Sequence, residues 1–391
     1  MVALIGGGVV TLATVARVYR GGTTANDHAV ALLVAGCVAI YPALWIGAAG
    51  AGVDGLARAL LGVVLTIGAV SIYALFHVLD RRRDAGRLML AARLSQPALA
   101  FSLWCGLLLI VRGPYAAFTG ALVLWPGALL LLPAGLALWG WAWTRLGERT
   151  REHVVSVPGL PAPVRIVQLS DIHVSPTMRR VDLFALVDRV NALAPDLVVV
   201  TGDHVMPFSE QHHDFLLEGL ARLKAPTFAC LGNHDLPIAD TLRAEFAAIG
   251  VPMLVDEAVH VAVGPVTVEI AGVNFHWREA RARLLEAVEA LPPSDAHVRV
   301  LLAHDPRLFA WVPDGRFHLV LSGHTHGGQV GTDMFGVPWS VLRPFGVYDQ
   351  GPWDRGATRL WVHRGNWHTG LPPRMGIAGE VVVHRLEPTA R

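Results

Sequence analysis

The sequence predicts a chain in two parts, an N-terminal α-helical membrane domain followed by an α/β domain. Of its 391 residues, 53% are hydrophobic and 16% are charged, whereas about a quarter of an ordinary soluble chain is charged. The long stretches without charge lie before residue 145, and beyond it apolar runs alternate with helical patterns. We therefore expect a membrane domain over residues 1–145, a linker over 146–163 and an α/β domain over 164–391.

Long apolar stretches predict four membrane-spanning helices, since a spanning helix needs about 20 mostly apolar residues. The stretches are 28–50, 59–79, 94–111 and 115–144. A fifth stretch, 1–16, is shorter and rich in glycine, which leaves the number of helices at four or five. Buried helices of a globular core rarely run this long without charge, so four in succession favour a membrane domain.

The arginines predict the orientation of these helices. Alternating the loops across the bilayer puts ten arginines on one side and two, Arg58 and Arg112, on the other. The ten are Arg17, Arg20, Arg81, Arg82, Arg83, Arg87, Arg93, Arg145, Arg149 and Arg151. Because arginine-rich loops remain in the cytoplasm, we expect a multi-pass protein of the inner (plasma) membrane whose α/β domain is cytoplasmic.

The α/β domain is predicted to follow a polar linker that contains Pro158, Pro161 and Pro163. Apolar and β-branched runs predict strands at 164–170, 196–201, 227–231, 266–273, 298–303, 317–322, 359–363 and 380–386. Helical spacing of apolar residues predicts helices at 181–193, 213–224, 241–249 and 278–291. Strands that alternate with helices are typical of a layered α/β domain.

Five of the predicted strands end in aspartate, asparagine or histidine. The residues at these ends are Asp171 and His173, Asp203 and His204, Asn233, His234 and Asp235, His304 and Asp305, and His324 and His326. Ligands of open α/β sheets bind beyond the carboxyl ends of the strands. A mixed set of carboxylate, imidazole and amide ligands suits Mn²⁺, Fe or Zn²⁺ better than Ca²⁺ or Mg²⁺. Glycine precedes three of these groups, and it lets the backbone approach a ligand closely.

In this order the strand-end residues resemble the signature of the calcineurin-like metallophosphoesterases, which reads D-x-H, G-D, G-N-H-D, a single His and G-H-x-H. The resemblance covers roughly residues 164–386 and implies a layered β-sandwich flanked by helices. Residues 323–329, Arg364-Gly365 and residues 370–374 are similar to a membrane-anchored bacterial subgroup, transmembrane proteins with a metallophosphoesterase domain.

The resemblance implies a dinuclear centre of two divalent metal ions. The implied ligands are Asp171, His173 and His326 for the first ion, Asn233, His304 and His324 for the second, and Asp203 as a bridge between them. The catalytic residues would be His234, beside the leaving-group oxygen, and Asp235, which would orient the His234 ring. Two such ions clamp a phosphate and lower the pKa of a bridging water. The resulting hydroxide would attack phosphorus while His234 protonates the leaving oxygen.

These roles predict a hydrolase of phosphate mono- or diester or pyrophosphate bonds, acting on a membrane-associated or lipid-linked substrate. Two alternatives remain, the same chemistry on a soluble nucleotide-type phosphodiester and a non-catalytic scaffold of the same fold. A scaffold would be expected to have lost ligands, yet every signature residue is present. No nucleic-acid partner is expected, because the sequence of the α/β domain contains no basic stripe and its only lysine is Lys224. The native metals, the choice between monoesters and diesters, and the oligomeric state are left open.

Some segments depart from the family pattern. His204 stands near the position where many relatives carry a further acidic residue, and Asn366-Trp367 replace the Leu-Gly that often follows Arg-Gly. We expect both segments to shape the pocket and the substrate fit. The histidines outside the signature are interpreted as packed or solvated residues, and they are His204, His212, His213 and His276.

The aromatic loop at residues 331–356 has two interpretations, a local hydrophobic cluster, which is favoured, or a lid or groove for an acyl or prenyl chain. Three arginines, Arg343, Arg364 and Arg374, would either bind further phosphate oxygens or form ordinary surface salt bridges.

Overall fold

The computed structural model describes residues 148–174, 178–206, 213–332, 338–367, 374 and 376–389, together with Gly135. The predicted membrane spans and the loops that connect them lie outside these residues. Among the residues that are described, no helix is both long enough and apolar enough to cross a membrane.

The described residues form two six-stranded sheets, a short hairpin and four α-helices. The strands are β1 (Arg149–Val157), β2 (Val164–Leu169), β3 (Leu197–Thr201), β4 (Thr227–Cys230), β5 (Met253–Leu254), β6 (Glu257–Val263), β7 (Val266–Gly272), β8 (Val298–Leu302), β9 (Leu319–Ser322), β10 (Gly331–Thr332), β11 (Trp339–Ser340), β12 (Gly351–Arg355), β13 (Thr358–Val362) and β14 (Glu380–Pro388). The helices are α1 (Arg180–Ala192), α2 (His213–Leu220), α3 (Ala239–Ala248) and α4 (Ala280–Ala290). The predicted α/β class is therefore confirmed for this part of the chain.

Each sheet is mixed, with parallel strands at its centre. The first sheet has the order β1-β14-β2-β3-β4-β5, in which β2 to β5 are parallel. The second has the order β12-β13-β9-β8-β7-β6, in which β7, β8, β9 and β13 are parallel. Parallel strands are covered on both faces, and β3 accordingly consists of five buried residues with the sequence LVVVT.

Alternate residues of the strands face different layers, as the two-residue period of a strand requires. In β3, Leu197 and Val199 pack between the two sheets, whereas Val198 and Val200 pack against the helices on the outer face. The helix α1 meets that face with Leu183, Leu186, Val187 and Val190, which share one side of a helix through their i, i+3, i+4 and i+7 spacing. On the other outer face, α4 packs with Leu284 and Val288. The layers are thus helix, sheet, sheet, helix.

Nine residues of the predicted linker form a strand. This strand, β1 (Arg149–Val157), pairs in parallel with β14. The strand lies at the edge of its sheet, and its polar residues remain exposed on one side. The strands β6 and β12, also at sheet edges, were likewise absent from the prediction. A half-exposed edge strand carries too few apolar residues to differ clearly from a polar connection.

Candidate metal centre

The carboxyl ends of β2, β3, β8 and β9 converge, and they bring six of the seven predicted ligands into two groups. The first group consists of Asp171, His173, Asp203 and His326, and the second of Asp203, His304 and His324. Within each group, one candidate ligand atom per residue lies within 4.8 Å of the others. Asp203 belongs to both groups, which is the arrangement that a bridging ligand requires.

In the first group, nitrogen and oxygen atoms face a common point. Nε2 of His173 lies 2.9 Å from Nε2 of His326, and Nε2 of His326 lies 3.2 Å from Oδ1 of Asp171. Nε2 of His173 is also 3.5 Å from Oδ2 of Asp203. Two imidazole nitrogens and two carboxylates at these distances form a buried site for a cation.

In the second group, the backbone fixes the orientation of His304. Nδ1 of His304 donates to the carbonyl oxygen of Thr201 over 2.7 Å, so that Nε2 points to the centre, 3.2 Å from Oδ2 of Asp203. Such a hydrogen bond on the far side of the ring is the usual support of a metal-binding histidine.

Unpaired buried atoms in the described part of the chain provide a test of whether a metal fits this site. Oδ1 of Asn233 and Nδ1 of His324 are buried without a hydrogen-bond partner among the described residues. Leaving such an atom unsatisfied costs about 1–3 kcal/mol. A divalent ion would accept a lone pair from each of these two atoms. The carboxylate, imidazole and amide ligands together suit Mn²⁺, Fe or Zn²⁺. The residues present therefore fit a divalent metal centre.

The backbone of five ligand residues is left-handed. The φ angles are 51° for Asp171, 45° for His173, 53° for Asp203, 70° for His324 and 51° for His326. A residue other than glycine rarely adopts such an angle, and each instance costs of order 1 kcal/mol. The surrounding fold imposes these conformations, which turn the side chains at the strand ends toward a common centre.

Close packing of the loops explains two of the glycines that precede ligands. A methyl group on Gly232 would lie 2.8 Å from Cγ of Asp203 and closer still to its Oδ1. One on Gly323 would overlap Oγ of Ser170 and Oδ2 of Asp171. The predicted need for close backbone approach at these positions is confirmed.

Charges within the centre shift the pKa values of its residues. Burial alone would raise the pKa of Asp203, but His304 and His173 hold it well below its usual range. Burial alone would lower the pKa of His304, but Asp203 and Asp171 raise it to about 10. Burial and the charge of His304 lower the pKa of His324 to about 4. Without a metal the His304 proton therefore offsets the Asp203 charge, and metal binding must displace that proton.

His234 lies beside the two groups and belongs to neither. Its backbone N–H donates to Oδ1 of Asp203 over 2.9 Å, and its Nε2 lies 3.9 Å from Oδ2 of the same carboxylate. Its ring meets that of His173 edge-on at 5.0 Å. The side chain is 24% exposed, so a substrate can reach it from solvent.

The expected contact between Asp235 and the His234 ring is wrong. The Asp235 carboxylate accepts N–H groups from Gly232, Asp203 and His204, and it accepts Nδ1 of His204 over 2.8 Å. A fully buried carboxylate needs several donors, and the two ligand-bearing loops supply them. Asp235 therefore joins these loops and orients His204 instead of His234. The buried His204 ring packs edge-on against Phe246, as expected for a packed histidine.

Comparison with known proteins decides the family. Residues 164–328 match the family model for calcineurin-like phosphoesterases. The metallophosphoesterase YkuE of Bacillus subtilis (strain 168) is 31% identical over 257 residues, which cover 61% of this chain and 86% of that relative. The chain belongs to the calcineurin-like metallophosphoesterases. It is therefore a metal-dependent phosphoesterase, and the clustered candidate ligands suggest a divalent metal centre.

Two further relatives of this metallophosphoesterase have informative names. Phosphodiesterase YaeI of Escherichia coli (strain K12) is 34% identical over 199 residues, 46% of this chain and 67% of that relative. A protein of Bos taurus named transmembrane protein with metallophosphoesterase domain is 30% identical over 243 residues, 56% of this chain and 52% of its own length. The chain thus spans about half of the bovine relative.

The remaining histidines do not join the metallophosphoesterase's ligand groups as far as the structure describes them. His276 is half-buried and lies in neither group. His212 and the side chain of His213 lie outside the described residues.

The arginines singled out in the sequence have partners within the protein. Arg374 is buried and donates to the carbonyl oxygen of Gly365 over 3.1 Å. Arg364 is buried near Glu380 at 3.7 Å. Arg343 donates to the carbonyl oxygen of Pro338. The surface salt bridges considered for Arg364 and Arg374 are wrong, because both side chains are inside the domain.

The aromatic loop divides into a packed part and an exposed part. Trp353 packs on Tyr348 at 5.1 Å, and Tyr348 on Phe309 at 5.6 Å, which confirms a local cluster. Trp339 and Phe345 are 44% and 79% exposed.

Another aromatic residue near the metallophosphoesterase's centre escaped the sequence analysis. The Trp277 ring lies 6.4 Å from that of His324, is supported edge-on by Phe275 at 4.9 Å, and is 55% exposed. Its sequence position after β7 is the signal that could have indicated it, since β7 ends at the same edge as the ligands.

Proposed function

We propose that this metallophosphoesterase uses two divalent metal ions, of Mn²⁺, Fe or Zn²⁺, to hydrolyse phosphate mono- or diester or pyrophosphate bonds. The observation that carries the proposal is the Asp203 carboxylate, whose atoms belong to two separate groups of buried ligands. The first ion would be held by Asp171, His173 and His326, the second by Asn233, His304 and His324, and both by Asp203. When bound, the ions supply the Lewis acidity that makes phosphorus open to attack by water.

The protein's own residues have distinct tasks in this reaction. Asp203 keeps a negative charge at the centre, because the neighbouring histidines hold its pKa low. His304 is kept in one orientation by the carbonyl oxygen of Thr201. His234 is partly exposed beside the centre and can give a proton from its ring to the departing oxygen. Asp235 supports this arrangement by joining the loops that carry Asp203 and His234.

We further propose a membrane-associated or lipid-linked substrate. Trp277 exposes an apolar surface beside the ligand His324, and an apolar substituent of a phosphoester could pack on it. The apolar stretches over residues 1–145 and the name of the bovine relative favour a multi-pass protein of the inner membrane. The arginine distribution favours a cytoplasmic position for the α/β domain.

A soluble nucleotide-type phosphodiester is the second candidate substrate. An exposed, rigidly supported indole is also a surface on which a base can stack, and the Escherichia coli relative is named a phosphodiesterase. A scaffold without activity is disfavoured, because the ligand atoms are present and clustered. The net charge of +1 gives no reason to propose a nucleic-acid substrate.

The first experiment measures hydrolysis by the full-length protein in detergent, after metal removal and reloading with Mn²⁺. Bis(p-nitrophenyl) phosphate and p-nitrophenyl phosphate serve as substrates. We expect Mn²⁺-dependent turnover, and loss of metal and a fall of at least about 100-fold in kcat for Asp203→Ala. The control is Asp240→Ala, which changes an exposed aspartate of α3. Absence of turnover with metal demonstrably bound would contradict the proposal and favour the scaffold.

A second experiment separates the two substrate classes. The full-length protein is reconstituted into vesicles and supplied with phosphorylated lipids or with cyclic and linear nucleotides at matched concentrations. Preference for the lipid supports the first proposal, and preference for the nucleotide supports the alternative.

A further inference from the structure

Glu148 lies just before β1, outside the residues that match the family model, and its carboxylate points into the domain. The side chain is 18% exposed. Oε2 accepts Nη1 of Arg189 over 2.8 Å, and Oε1 accepts Nδ2 of Asn366 over 3.1 Å. Burial raises the pKa of Glu148 against the opposing effect of Arg189. A partly buried carboxylate of this kind needs a reason to be there, since taking its charge even partly out of water costs free energy.

Asn366 connects this carboxylate to the strand end that carries a metal ligand. Its Oδ1 accepts the backbone N–H of Ser170 over 3.0 Å, and its own N–H donates to the Ser170 carbonyl oxygen over 2.8 Å. The next residue, Trp367, donates its N–H to the carbonyl oxygen of Asp171 over 3.1 Å. Oγ of Ser170 then donates to Oδ2 of Asp171 over 2.6 Å. The residues around Asn366 therefore hold the Asp171 side chain and backbone in place.

Arg374 holds the other side of the same segment. The guanidinium group is 1% exposed and donates to the carbonyl oxygens of Gly365 and Trp367. It also approaches the carbonyl oxygen of His326 at 3.4 Å. Asp171 and Glu148 are among the carboxylates that offset its charge. A buried arginine with these partners fixes His326 from behind.

We propose that Glu148 is a positioning residue for the first half of the metal centre. It aligns Asn366 by a hydrogen bond, and the segment around Asn366, which Arg374 holds from its other side, aligns Asp171 and His326. The second half has separate support, since Thr201 holds His304. The inference rests on the proposed two-metal function. Partners behind metal ligands typically change metal affinity by about 10–100-fold, and loss of Glu148 should weaken the first ion selectively.

The test is a titration of the metal-free, full-length protein with Mn²⁺, in which binding is measured by calorimetry and by electron paramagnetic resonance. The wild type should bind two ions. Glu148→Ala should weaken one of them at least tenfold and leave the other within about threefold, a split that general destabilisation would not produce. Glu152→Ala is the matched control, since this exposed glutamate of β1 faces Arg385 at 3.4 Å on the surface. It should bind both ions as the wild type does.

A second measurement tests whether Glu148 acts on metal affinity through Asn366. Asn366→Ala should weaken the same ion, and the double variant with Glu148→Ala should be no weaker than the more affected single variant, because both act on one chain of contacts. Where Glu148→Ala fails to fold, Glu148→Gln takes its place, since it keeps the shape and removes the charge. We expect at least a fivefold loss at the first ion for this variant.

Four outcomes would overturn the inference. Unchanged binding of both ions by the Glu148 variants excludes the role. Equal weakening of both ions together with a lower Tm indicates a general structural role instead. Additive losses in the double variant exclude the path through Asn366. A wild-type protein that binds fewer than two ions contradicts the proposed function, and the inference with it, before any variant is compared.

Discussion

At the scale of single residues, Asp203 and His304 show how the protein keeps an ion pair in its interior. Their contact of 3.2 Å stabilises the charged form of each, so that the pKa of His304 rises to about 10 while that of Asp203 falls. Removing both charges from water without such a partner would cost several kcal/mol. The pair therefore preserves an ionised carboxylate at the point where divalent ions are proposed to bind.

His234 is proposed to donate a proton without binding a metal ion. Its replacement should therefore lower catalysis and leave metal binding unchanged. His234→Ala is expected to keep both ions and to lower kcat by about 100- to 10,000-fold for an alkyl phosphoester, whose leaving oxygen needs a proton. The loss should be smaller for p-nitrophenyl esters, because nitrophenolate leaves without one. Steady-state kinetics on both substrates, with metal content measured in parallel, checks this. The exposed His260 gives the control His260→Ala, and near-normal turnover of the alkyl ester by His234→Ala would refute the assigned role.

We expect the buried His363 ring to make the stability of the fold sensitive to acid. The ring is fully buried and its Nδ1 accepts the Gly365 N–H over 2.8 Å. Burial lowers the pKa of His363 to about 4, against about 6.5 in the unfolded chain. Between these values the unfolded state binds a proton that the folded state excludes, so stability present above pH 6.5 is lost as the pH falls toward 4. This one ring should lower the free energy of unfolding by about 2 kcal/mol at pH 5, relative to a pH above 6.5.

The measurement is the Tm of the metal-free protein at pH 7 and pH 5, for the wild type and for His363→Asn. Asparagine can still accept a hydrogen bond and does not titrate in this range, so the variant should lose less stability on acidification. Equal decreases in Tm for the two proteins would show that His363 does not contribute to the acid sensitivity.

At the scale of elements, the ligand loops pack so tightly that a single methyl group should disrupt the centre. In Gly232→Ala, the new methyl group would displace the backbone N–H and carboxylate of Asp203. We expect metal affinity to fall at least about tenfold, and stability by about 1–3 kcal/mol, as is usual for overpacking. Gly264→Ala is the matched control. That glycine lies in the turn between β6 and β7 with φ +53°, and nothing lies within 4 Å of the added methyl group.

Metal titration and thermal unfolding of the two glycine variants give the comparison. The control should lose about 1 kcal/mol of stability through its left-handed φ and keep wild-type metal affinity. Similar metal affinity in both variants would show that the loop around Gly232 can move without displacing Asp203.

Elements with a buried face could be predicted from the sequence, and elements at the edges could not. The run LVVVT in β3 is apolar in its first four residues because both faces of a central strand are covered. The strand β1 begins with five polar or charged residues at a sheet edge, and its parallel pairing with β14 joins segments more than 200 residues apart. Local composition carries no information about such a pairing.

The same distinction holds for the site. The ligand groups follow from residue types placed at the ends of buried strands, which a sequence pattern records. The partner of Asp235 depends on which loop packs beside it, and the hydrogen bond between Asn366 and Ser170, next to Asp171, joins residues 196 positions apart. These contacts arise from the packing of loops after the strands have formed, and no local pattern anticipates them.

At the scale of the whole molecule, the sequence has an apolar part before residue 145 and a more polar part after it. A reporter protein fused after Arg391 should behave as cytoplasmic, because the arginine-rich loops favour that side of the membrane. We expect fluorescence from a fused green fluorescent protein and little activity from fused alkaline phosphatase, which needs the periplasm. Replacing Arg81, Arg82 and Arg83 by glutamine should weaken this preference. Strong alkaline phosphatase activity from the unaltered sequence would contradict the proposed orientation.

Backbone strain at the candidate ligands lowers the stability of the fold, although catalysis needs their side chains. The strained residues are Asp171, His173, Asp203, His324 and His326. Glycine adopts this conformation without strain, so its introduction at His173 or His324, which leaves the Asp203–His304 ion pair intact, removes a local conformational cost of order 1 kcal/mol from the metal-free protein. A mutant library selected only for heat tolerance in the presence of a chelator should therefore favour glycine at these positions, and the surviving proteins would be robust and inactive. Selection in the presence of Mn²⁺ should preserve the original residues, since bound metal then stabilises the fold more than the relief of strain does.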